Sequence, residues 1–102
     1  MNDKIKKQVS QDDNAIVTLL TVQDSEDRSV WVLMRMTMDN FEHYMQAQID
    51  REQVNLTTLG EVLDTGWGLH PDETELQTIY KTYGDLHMID EVRDQVRETL
   101  NI

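Results

Sequence analysis

The 102 residues of this chain include no cysteine, which excludes disulfides, thiolate nucleophiles and thiolate metal sites. Proline occurs once, as Pro71, and glycine four times, and no internal repeat or low-complexity segment appears. No apolar run approaches the roughly 20 residues needed to span a bilayer. The first fourteen residues, MNDKIKKQVSQDDN, lack the apolar core of a secretory signal. The expectation is an intracellular, bacterial-type cytosolic (cytoplasmic) protein with no membrane partner.

Basic residues are scarce. Nine Lys and Arg stand against twenty Asp and Glu, a formal net charge of −11. Residues 1–14 balance Lys4, Lys6 and Lys7 against Asp3, Asp12 and Asp13. The rest of the chain therefore carries the whole excess, six basic residues against seventeen acidic. Such a field repels phosphate backbones, so direct nucleic-acid binding is set aside. Solubility accounts for the acidity most simply. A surface that imitates nucleic acid on a basic partner is the sharper alternative.

What is present points to a small α+β fold. Residues 1–13 are polar and aperiodic and are read as a mobile tail, with a single domain over 14–102. Ala15–Gln23 (AIVTLLTVQ) and Val30–Thr37 (VWVLMRMT) have the β-branched, apolar composition of strands, and the polar DSEDRS between them makes a hairpin. A helix follows, capped by Thr37 or Asp39, with Met38, Phe41, Met45 and Ile49 at spacings of three and four, and Tyr44 beside them, forming its apolar face. It should fade around Asp50–Gln53, and Val54–Leu59 is either a short strand or a docked loop.

Glu61–Gly84 (EVLDTGWGLHPDETELQTIYKTYG) is the most informative stretch. Gly60–Thr65 reads as a third strand, and Gly66-Trp67-Gly68 as a sharp turn. Pro71 is expected in the first turn of a helix with Leu76, Ile79, Tyr80 and Tyr83 on its buried stripe and Gly84 as a left-handed cap. A last helix over Met88–Leu100 presents Ile89, Val92, Val96 and Leu100. The order is β-β-α-β-α-α. It allows a parallel third strand in a three-stranded sheet, with helices packed over one face.

The first two strands are apolar on both faces. Val17 and Leu19 oppose Ile16, Leu20 and Val22, while Trp31, Leu33 and Arg35 oppose Val30, Val32, Met34 and Met36. A sheet covered on one side alternates apolar with polar, so either the last helix folds over the second face or another protein covers it.

Reactive chemistry is thin. Gly66-Trp67-Gly68-Leu69-His70-Pro71 lacks the third glycine of a dinucleotide turn, and carboxylates surround it. His43, His70 and His87 form no paired metal motif, and Asp24–Ser29 lacks the glycine of a calcium loop. The only serines, Ser10, Ser25 and Ser29, sit in the tail or the turn, and no Gly-x-Ser-x-Gly elbow occurs. No catalytic residue, metal or cofactor is assigned, and an enzyme is disfavoured. Met34, Met36, Met38 and Met45 are read as core fillers before adaptable contacts.

The leading expectation is therefore protein–protein contact. It takes the form of self-association through the second sheet face, carried by Trp31, Leu33 and Arg35 together with Trp67, which if exposed would be an anchor. The alternatives are an acidic nucleic-acid mimic and a small-molecule pocket near Trp67, His70 and Tyr83.

Overall fold

The computed structural model describes residues 15–102; the tail expected over 1–13 lies outside them. Strand β1 (Ala15–Gln23) and strand β2 (Ser29–Thr37) form the hairpin. Helix α1 (Met38–Ile49) leads into a 3-10 turn at Leu56–Thr58 and strand β3 (Gly60–Trp67). Helices α2 (Glu73–Tyr83) and α3 (Asp90–Leu100) complete the α+β fold.

The sheet has the order β1-β2-β3. Both pairings are antiparallel, where the sequence allowed a parallel third strand. The reason lies in the segment between β2 and β3. The 12 residues of α1 carry the chain about 18 Å outward at 1.5 Å per residue. Residues 50–59 then bring it back to the end of β2 it left, so Gly60 pairs with Met36. That is a return, not a crossover. The register shifts where Leu33 pairs with Asp64 but Met34 with Val62, which leaves Leu63 as the extra residue of a bulge in β3.

Helices cover both faces instead of one, which resolves the doubly apolar strands within one chain. On one side Val17, Trp31 and Leu33 pack with Leu76 and Ile79 of α2 and Val92 and Val96 of α3. On the other, Leu20, Val32, Met34 and Met36 pack with Tyr44 of α1 and Leu59. The segment before α3 also ties down the outer edge of β1: Val17 N–H donates to the His87 carbonyl at 2.7 Å, and Ile89 N–H donates to the Val17 carbonyl at 3.0 Å.

Several local expectations change. Of the expected face of α1, Tyr44 is buried, with Ala47, and Phe41 packs beside it, whereas Met38, Met45 and Ile49 stay exposed. The amide of Asn40, on the inward side, donates to the Leu59 carbonyl at 2.7 Å and holds the helix in that rotation. Helix α2 starts one residue after its N-cap Asp72 and opens on a capping box, in which the Asp72 carboxylate accepts from Glu75 N–H and the Glu75 carboxylate accepts from Asp72 N–H. Pro71 thus precedes the cap and is buried. Tyr80 faces outward, and Gly84 closes α2 with an ordinary φ of −62°.

Candidate functional site

The residues proposed for the interface separate in three dimensions. Trp31 and Leu33 are 1% and 0% exposed beneath α2 and α3, so they are core in this fold and closed to a second copy. Arg35 is half-buried on the same face, in register between Val17 and Glu61. Trp67 lies elsewhere: it pairs with Val30 at the end of β3 and is 65% exposed.

Register places Trp67 on the α1 side of the sheet. Val22, Val30 and Trp67 stand in one cross-strand row, and the two valines pack onto the α1-side cluster. Arg28, two residues before Val30, shares that side, and its guanidinium carbon lies 4.6 Å from the Trp67 ring centroid, a cation–π contact.

The hairpin turn fixes Arg28. The Asp24 carboxylate accepts from the backbone N–H groups of Glu26 and Arg28 at 2.8 and 2.9 Å and from Arg28 Nε at 2.9 Å. The backbone N–H of Arg28 is the foremost cause holding the Asp24 carboxyl below its ordinary value, followed by the opposing effect of desolvation and the further lowering contacts. Asp27 takes the left-handed φ of 61° that closes the turn. A carboxylate thus orients a cation, and the cation covers one face of an otherwise solvent-facing indole.

The chain leaves β3 across the same end of the sheet. Gly68 adopts φ 105°, a conformation natural to glycine, and its N–H donates to the Ser29 carbonyl at 2.9 Å. The Thr21 hydroxyl donates to the Leu69 carbonyl at 2.6 Å. Leu69 is left 65% exposed, beside a groove of about 690 Å³ lined also by Val22, Ser29, Tyr44, Gln48, Val54 and Leu56. Burial pushes the Tyr44 hydroxyl above its ordinary pKa.

Charges of both signs rim this end: Arg28 and Arg51 beside Asp24, Glu26, Asp27 and Glu52. Further exposed apolar residues stand on the same side of the sheet, with Met38, Met45 and Ile49 on α1 and Val62 on β3. The outer edge of β3 is blunted by the bulge and by Asp64, whose carboxylate accepts from Thr65 N–H at 2.9 Å. Side-chain contact therefore suits this surface better than strand addition.

His70 and Tyr83 make backbone contacts of their own. The Tyr83 hydroxyl donates to the Leu63 carbonyl at 2.9 Å, and His70 Nδ1 lies 3.4 Å from the carbonyl of Pro71; Trp67, His70 and Tyr83 all lie outside the lining of the groove. Among the described residues no group of three or more His, Asp and Glu is placed to hold a metal ion, and no helix is long and apolar enough to cross a membrane. Arg28, Leu69 and Asp24 escaped the sequence reading. The parity of Arg28 with Val30 was a usable signal, whereas nothing local marked Leu69.

No family model matches the chain, and neither a curated protein nor a solved structure matches it.

Proposed function

We propose that the chain acts through protein–protein contact and that its occupant at the Trp67 end of the α1 side is a second copy of itself. The observation that carries this is the 65% exposure of Trp67 under a fixed arginine. Trp and Arg are enriched among the few side chains that carry most of an interface's binding energy. Exposed Leu69, two residues on, and the half-buried row of Val22 and Val30 supply continuity.

A second copy is favoured by the local charge. A two-fold contact must be complementary to itself, and a patch of one sign repels its own image. The mixed rim of Arg28, Arg51, Asp27 and Glu52 lets each sign meet the other across such an axis. The wider charge of −11 opposes association at long range. Added salt should therefore strengthen the dimer by screening, whereas an acidic mimic on a basic partner would be weakened.

Nitrogen-15 NMR over a dilution series tests this directly. The Trp67 indole N–H signal should move with protein concentration while that of buried Trp31 stays fixed. An unchanging Trp67 signal up to millimolar concentration would overturn the proposal.

A further inference from the structure

On the opposite side of the sheet, the C-terminal end of α2 and one flank of α3 enclose a cleft of about 440 Å³. This falls within the roughly 300–1,000 Å³ of sites that hold small molecules. Its apolar wall is Leu86, Met88 and Val96, its aromatic rim Tyr80, and its charged rim Arg93 and Arg97. The two arginines stand four residues apart, so α3 presents both on one flank.

In a chain this acidic the placement of cations is informative. Residues 15–102 hold six basic side chains. Arg93 and Arg97 rim this cleft and Lys81 borders the adjoining one with Tyr80. Half of the cations thus gather where α2 and α3 meet. Arg93 Nη2 donates to the Met88 carbonyl at 3.4 Å, which directs the guanidinium across the apolar wall. Asp90 and Asp94 flank Arg93 in sequence, yet among the described residues neither arginine has a carboxylate within 4.0 Å. The cleft thus sets two arginines against an apolar wall, with Ile102 also lining it.

We infer that this cleft binds a small amphiphilic carboxylate, its apolar tail against Leu86, Met88 and Val96 and its carboxylate between Arg93 and Arg97. Guanidinium groups match carboxylate geometry with paired N–H donors. The apolar wall then selects an anion with a hydrocarbon body over a bare inorganic one. The site is separate from the Trp67 surface, and its occupancy does not require a dimer.

The test uses octanoate as probe, titrated into the nitrogen-15-labelled full chain, with octan-1-ol as the uncharged control. Octanoate should give saturable shifts centred on the amides of Gly84, Leu86, Arg93 and Arg97, with octan-1-ol binding more weakly. Arg97→Gln, at an exposed position, should fold normally and weaken octanoate by about tenfold, as loss of one charged hydrogen-bonding partner implies. Arg93→Gln should do the same. Equal binding of octan-1-ol, shifts that do not saturate, shifts centred on other residues, or an unaltered affinity in Arg97→Gln would each overturn the assignment.

Discussion

Replacing Gly66 by alanine would drive a methyl group into the indole of Trp31. A Cβ on Gly66 would lie 2.4 Å from Cε2 and Cζ2 of that ring and 2.5 Å from Nε1, far inside van der Waals contact. The ring has nowhere to retreat, being 1% exposed among Leu33, Leu76, Ile79 and Val92. Either β3 moves away from β2 or the indole leaves its rotamer. Overpacking of this kind costs about 1–3 kcal/mol, and for a chain of this size each kcal/mol lowers Tm by about 4–8 °C. Thermal unfolding followed by near-ultraviolet circular dichroism should therefore show Tm reduced by roughly 5–20 °C. Trp31→Phe removes the crowded ring, so in that background Gly66→Ala should cost less, with a coupling of at least about 0.5 kcal/mol. An unchanged Tm for Gly66→Ala, or an equal loss in both backgrounds, would refute the packing argument.

Other outcomes follow from the same structure. Leu33→Glu or Trp31→Glu should yield an unfolded chain by far-ultraviolet circular dichroism, since an unpaired carboxylate beneath α2 and α3 costs more than about 4 kcal/mol; a folded, soluble product would show that those helices do not cover the face. Asp72→Ala removes the carboxylate that accepts from Glu75 N–H, leaving only the backbone N–H that donates to Glu75, and should cost about 1 kcal/mol in denaturant unfolding, while a loss below the error of the measurement would contradict that role. The Asp24 carboxyl, held below its ordinary 3.8, stabilises the turn above that value and loses the contribution as pH falls through its lowered folded value. Carbon-13 titration should thus place its midpoint under 3.8, and a midpoint at or above it would contradict the contacts drawn from Glu26, Arg28 and their N–H groups.

Much of the fold was legible because local pattern and tertiary burial agree. The β-branched run at Ala15–Gln23, the polar DSEDRS connection and the acidic start of α2 each specify their element through neighbours in sequence. Local pattern failed where partners distant in sequence decide. Helix α1 has two candidate inward faces, and the choice of Tyr44/Ala47 over Met38/Met45/Ile49 depends on Asn40 reaching the Leu59 carbonyl. The direction of β3 depends on residues 50–59 retracing the path of α1, which periodicity does not encode. At the site, Trp67 was recognisable as a large aromatic beside a turn. Its neighbours required the strand register that sets Val22, Val30 and Trp67 in a row. Trp31 and Leu33 were indistinguishable from interface residues, because an apolar strand face looks the same whether its cover comes from the same chain or another.

The most direct test of the self-association claim is molar mass in solution, by light scattering behind a sizing column at low and high protein concentration. At the higher concentration the mass should approach twice the 12.0 kDa of one chain, while Trp67→Glu stays at the single-chain value with an unchanged circular dichroism spectrum. A single-chain mass at both concentrations, or a dimer that survives Trp67→Glu, would contradict it.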